Sequence, residues 1–165
     1  MINGYAENVL AADLDTYSVL DIEHRFEFPP MTSDGEIIDD NLTICGSIDM
    51  IVLNRETNVI DGFEHKSTKN FRNECYNWMD EQPRVYTRAL ELYVERYNSI
   101  GEQRYQLGEI DSFEPATVGH IYVNEVRKLI RGFDYKRTKC EYPEGDLDNF
   151  MLAFFGAASA CKHSA

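Results

Sequence analysis

An α/β or α+β fold with a mixed central sheet is what the order of patterned segments predicts, and three observations carry it. Two β-rich runs, 42–53 and 58–66, flank the turn-rich Asn54-Arg55-Glu56-Thr57-Asn58 and read as an antiparallel hairpin. Two further runs read as strands: 17–28 by alternation and 116–124 by a near-continuous apolar centre. Helical patterns precede, separate and follow them, giving helix, strand, strand, strand, helix, strand, helix.

In chain order, residues 2–16 favour a short helix with Tyr5, Val9 and Leu10 on one face. In the strand 17–28, Leu20, Ile22, His24, Phe26 and Phe28 form the core-facing set, and Val19, Asp21, Glu23, Arg25 and Glu27 the polar one; Pro29-Pro30 ends it. Residues 31–41 are a polar connection around Asp34-Gly35, and Asp39-Asp40-Asn41 reads as a solvated turn. After the hairpin, Ser67 to Asn73 is polar and turn-like. A helix then runs to about Ser99, with Trp78, Val85, Ala89, Leu92 and Val94 among its apolar positions and Pro83 near its start or at a kink. Residues 100–114 read as a polar connection with two glycines, and 147–161 as a C-terminal helix apolar enough to need a partner surface.

At 165 residues, 43% of them hydrophobic, the chain is expected to be a single domain spanning 1–165 with one core. It has no run of eighteen apolar residues and no charged-then-apolar leader, so a soluble cytoplasmic protein without a membrane partner is expected. The four cysteines, at 45, 75, 140 and 161, stand singly and indicate neither a zinc site nor a disulfide framework. A net charge of −13 opposes binding to a polyanion, but it is unevenly spread: thirteen acids face two bases before residue 64. Arg127, Lys128, Arg131, Lys136, Arg137 and Lys139 form a basic cluster that reads equally as a phosphate-tracking surface or a solvated face.

The chemistry concentrates in the hairpin, which places Asp49 on its first strand and Glu64-His65-Lys66 at the end of its second, where Val, Ile or Thr would be ordinary. Glu64 and Lys66, two apart on an extended strand, share a face, and His65 points to the other. Two carboxylates with an adjacent ammonium suit a hard divalent cation such as Mg²⁺ and a phosphate or water beside it. The alternative is a solvated hairpin face with a cross-strand ion pair. Downstream, Lys69 and Arg72 stand where phosphate contacts are plausible, and Gln82 and Tyr86, four apart, share a helix face.

Gly46-Ser47-Ile48-Asp49, then about fifteen residues, then Glu64-His65-Lys66 resembles the core of the PD-(D/E)xK nuclease superfamily, in its RecB-like and phage exonuclease branch. That branch places Q-x-x-x-Y on the helix after the Lys, matched here by Gln82-Pro83-Arg84-Val85-Tyr86, and the resemblance covers roughly residues 17 to 124. It implies a restriction-endonuclease-like core. Asp49 and Glu64 would bind Mg²⁺ or Mn²⁺ with the His65 carbonyl, Lys66 would be catalytic, and Gln82 and Tyr86 would position the strand. Glu23 stands where related nucleases show a Val-Glu or similar pair and is the candidate third metal ligand. The implied activity is hydrolysis of phosphodiester bonds in DNA, as an exonuclease ahead of an endonuclease, in phage or bacterial recombination and repair. The alternative is a catalytically weak or inactive module of that fold, acting in protein or nucleic-acid binding. The family's additional N-terminal helix carries a His or Glu for the metal, whereas here only about sixteen residues precede the first strand and they contain no His. The domain is therefore expected to be incomplete at its N-terminus, with an upstream segment or a partner protein completing the metal site.

Overall fold

The computed structural model describes residues 11–73, 80–129, 132–143 and 145–162. Their elements are α1 (Ala11–Thr16), β1 (Tyr17–Phe28), β2 (Ile44–Asn54), β3 (Val59–Thr68), α2 (Glu81–Gln106), β4 (Thr117–Lys128), β5 (Phe133–Cys140) and α3 (Asp146–Lys162). The strands form one five-stranded mixed sheet in the order β1-β2-β3-β4-β5, with β2/β3 and β4/β5 antiparallel and β3/β4 parallel. The parallel pair requires a crossover, and α2 supplies it. The fold is thus α+β around a mixed sheet, as the segment order predicts. Residues 2–10 of the expected first helix, Cys75, Trp78 and Arg131 lie outside the described residues.

The chain divides into two compact units, residues 1–24 with 48–140, and residues 25–47 with 141–165. The first unit is built on β3, whose residues Ile60 to Glu64 are all buried, because β2 and β4 flank it and both its faces are covered. Ile48, Ile51, Ile60, Phe63, Leu90 and Ile121 are fully buried there. Each such side chain contributes about 1.5–3 kcal/mol by leaving water. At Asp61 the register with β4 slips by one residue, and the Asp61 carboxylate accepts the backbone N–H of His120 at 2.8 Å.

Helix α2 starts at the N-cap Asp80, whose side chain accepts from the Gln82 N–H. Pro83 falls in its first turn, where a missing N–H leaves no bond unmade, so it marks the start and not a kink. The helix continues to Gln106, past the expected end near Ser99. Gly101 sits within it because a Cβ there would collide with the Phe113 ring, and Asn98 pairs with both backbone groups of Ala116 at 2.9 Å. The true stop is Gly108, at φ +71°: its N–H bonds to Tyr105 and the next N–H to Arg104, the paired closure that a left-handed glycine allows.

Two further expectations change. The alternation of β1 is broken at Glu23, which adopts φ +52°; Asp21 accepts the Ile22 N–H at 2.8 Å and Ile22, expected in the core, is 67% exposed. Strand β5 is an additional strand, formed by the charged stretch 133–140. Its pairing with β4 supplies the backbone bonds, while Arg137 packs its guanidinium 4.4 Å over the Phe63 ring.

In the second unit, Gly46 has no side chain because the Phe26 ring occupies that space. The 31–41 connection is organised by Thr32, whose hydroxyl bonds Asp34, while Ser33 donates its N–H and Oγ to Asp148 in the first turn of α3 at 2.7 and 2.6 Å. Cys45 is exposed and Cys140 buried. No described helix is long and apolar enough to cross a membrane.

Candidate functional site

The antiparallel register Met50↔Phe63 sets Asp49 opposite Glu64, so the two carboxylates of the hairpin share one sheet face with Lys66. Asp49 Oδ2 accepts the His65 backbone N–H at 2.7 Å, which orients its carboxylate at the strand end. The crossover to β4 brings the first turn of α2 over Lys66. The Lys66 ammonium donates to Gln82 Oε1 at 2.8 Å and lies 3.7 Å from Asp80 Oδ2.

Gln82 is the junction. Its amide oxygen receives Lys66, while its Nε2 donates to Tyr86 OH at 2.7 Å and to Glu64 Oε1 at 3.3 Å. The spacing of four places the Tyr86 hydroxyl on the Gln82 amide, and the carboxamide, acceptor at one end and donor at the other, spans an ammonium and a carboxylate. Tyr86 is buried, and that burial raises its pKa against the lowering effect of the Gln82 bond.

Glu64 is the strained member of the group. It is 9% exposed, and its Oε2 is buried with no hydrogen-bond partner among the described residues. Burial, then the charge of Asp49, push its pKa up to about 7, against the opposing pull of Lys66 and the Gln82 bond. A carboxylate half-neutral near pH 7 with an orphaned oxygen has room for a cation or a proton and, by itself, neither.

The residues expected at the site divide accordingly. Asp49, Glu64, Lys66, Gln82 and Tyr86 come together. The His65 side chain is turned toward β4, its Nε2 3.3 Å from Asn124 Nδ2, and its Nδ1 stands 3.7 Å from Asp49 Oδ2; burial lowers its pKa against the raising effect of Asp49. Glu23 is exposed at the break in β1. Among the described residues no three His, Cys, Asp or Glu side chains converge to hold a metal ion, so Glu23 does not join Asp49 and Glu64. The donor set for a divalent ion is therefore two carboxylates, which fit Mg²⁺ or Mn²⁺ chemically and leave most of the coordination to water.

Lys69 is exposed, and Arg72 extends its guanidinium to Asp80 Oδ2 at 3.3 Å. The basic cluster forms no single stripe, because strand alternation sends neighbours to opposite faces. Arg127 pairs with Asp134, Arg137 makes a two-pronged bond to Asp13 at 2.7 and 2.9 Å, and Lys136 donates to the Arg72 carbonyl.

Sequence reasoning missed Asp80, Glu125 and Asn124. Asp80 carries a readable signal: an Asp followed by Glu and, within the first turn, Pro is a helix start, and it would have set the N-cap beside Gln82. Glu125 (1% exposed) and Asn124 (0%) have none, since their positions follow from a parallel register across some sixty residues. Compared with protein-family models and with curated proteins, the chain matches none.

Proposed function

We propose that the protein is a metal-dependent nuclease hydrolysing phosphodiester bonds in DNA, of the RecB-like exonuclease type and acting in the cytoplasm. The observation that carries this reading is Glu64: a carboxylate raised by burial and by the charge of Asp49, with one oxygen unmatched among the described residues and Lys66 two residues on. A divalent cation bound there would polarise a phosphoryl oxygen and acidify a bound water.

In this reading Asp49 and Glu64 hold Mg²⁺ or Mn²⁺. Lys66, steadied by Gln82 and Asp80 with donor capacity remaining, stabilises the charge that develops on the phosphate. Gln82 keeps Glu64 Oε1 and the ammonium at fixed separation. Tyr86 limits the rotation of the Gln82 amide, and Lys69 and Arg72 border the strand's path.

The test has two arms. Mn²⁺ should raise the melting temperature of the parent and leave Asp49→Ala/Glu64→Ala unmoved. Lys66→Ala should keep the metal-induced shift and lose roughly 10²–10³-fold of Mn²⁺-dependent cleavage of labelled oligonucleotides. Equal shifts in parent and double variant sink the metal site; equal cleavage sinks the role of Lys66. The second reading, a catalytically weak or inactive module of this fold that binds protein or nucleic acid, draws on the two-carboxylate donor set. Metal binding and oligonucleotide retention without cleavage would select it.

A further inference from the structure

We infer that Glu125 and Lys136 are positioning residues for Lys66, acting through the backbone of Arg72; this rests on the reading of Lys66 as the ammonium that meets the phosphate. Glu125 stands on β4 in register with Lys66 on β3 and Lys136 on β5, so the three share one sheet face. Glu125 Oε1 accepts the Arg72 backbone N–H at 3.1 Å, and Lys136 Nζ donates to the Arg72 carbonyl at 3.0 Å. One loop residue thus has both its backbone groups taken by side chains of two neighbouring strands. The residue before it, Phe71, lies 4.6 Å below the Arg127 guanidinium.

The consequence passes along Arg72. With its backbone pinned, its guanidinium reaches Asp80 Oδ2 at 3.3 Å, the oxygen that also stands 3.7 Å from Lys66 Nζ, while Asp80 Oδ1 caps α2 at the Gln82 N–H. Arg72 therefore offsets part of the Asp80 charge and holds that carboxylate turned, one oxygen to the helix and one to Lys66. Released from Arg72, Asp80 would compete with Gln82 for the ammonium. Stability alone does not explain Glu125: a buried charge of this kind is commonly matched or bettered by an apolar residue, and Val123, two residues earlier on the same face, is one. Its Oε2 is buried without a partner among the described residues, a cost borne at a position whose other oxygen organises the loop.

The experiment compares Glu125→Ala, Glu125→Gln and Lys136→Met with the parent by two readouts. The first is the Gln82 side-chain amide pair in heteronuclear NMR spectra, shifted from free-glutamine positions by Glu64, Tyr86 and Lys66. In Glu125→Ala and Lys136→Met it should move toward the free position, and in Glu125→Gln, whose carbonyl still accepts the Arg72 N–H, it should stay. The second is Mn²⁺-dependent cleavage, where kcat should fall roughly ten- to a hundredfold at unchanged KM in the first two and recover in Glu125→Gln. Parent-like Gln82 resonances in folded Glu125→Ala or Lys136→Met overturn the inference, as does Glu125→Gln behaving like Glu125→Ala. If Glu125→Ala does not fold, Lys136→Met decides, since Lys136 is half-exposed. If the parent cleaves nothing, the nuclease reading fails and the resonances still decide the positioning.

Discussion

The two faces of the β3–β4–β5 ribbon treat buried polar groups in opposite ways. On one face His65, Asn124, Tyr135 and Arg137 close a network. Asn124 Oδ1 accepts from Tyr135 OH and Arg137 Nε at 2.7 Å each, and Arg137 completes itself on Asp13. On the other face Glu64 and Glu125 each keep a buried oxygen without a partner among the described residues, and Glu64 is pushed up to about 7. The same strands thus carry a satisfied structural network and, one residue out of phase, an unsatisfied cluster. The difference teaches that polarity alone does not mark a site here. Incomplete pairing around a reactive constellation does.

The largest expected effect lies on the closed face. Arg137→Ala leaves Asp13, which is 12% exposed at its side chain, without its two-pronged partner and strips the cation from the Phe63 ring. It should cost about 3 kcal/mol, read as a lower urea midpoint at unchanged slope, with Mn²⁺ binding retained. A neutral result would mean that this face is no more closed than the other.

Glu64→Gln tests the open face through pH. The folded protein holds a proton on Glu64 up to about pH 7, whereas the unfolded chain releases it near its ordinary value of 4.5. In that window the native state binds more protons, so the Glu64 contribution to stability is intact below pH 4.5 and is lost as pH rises through 7. Relative to the parent, Glu64→Gln should therefore gain about 1–2 kcal/mol between pH 4 and pH 8, allowing for water reaching the carboxylate. Chemical denaturation of both proteins at the two pH values measures this. A parent–variant difference that does not change with pH would remove the strain from Glu64.

The smallest effect is expected from Tyr86→Phe, which deletes one acceptor of Gln82 Nε2 and keeps the buried ring. A loss of about 1 kcal/mol or less is expected, together with weaker retention of oligonucleotide in a filter assay. A loss near that of Arg137→Ala would mean that the Gln82 junction is part of the structural core and would blur the contrast between the faces.

The hairpin shows how far local pattern reaches. Asp49, Glu64 and Lys66 could be assigned to one face because alternation has period two and the turn at 54–58 sets the pairing. Gln82 and Tyr86 could be joined because residues four apart meet on a helix. The failures came where local pattern was overruled. Ile22 is apolar yet exposed because Glu23 enters the left-handed region, and the helix runs through Gly101 because Phe113 fills the space beside it.

By itself, then, the sequence determined the mixed α+β architecture, the hairpin, the shared face of Glu64 and Lys66, and that of Gln82 and Tyr86, all consequences of short-range periodicity and turn chemistry; that the two pairs meet was implied only by the family resemblance. Only the tertiary structure decided that residues 133–140 form a fifth strand, that the basic cluster is divided between two faces, and that Glu125 lies beside Lys66. Each of these depends on the parallel β3/β4 register, which the crossover through α2 sets by packing and which no neighbouring residue encodes.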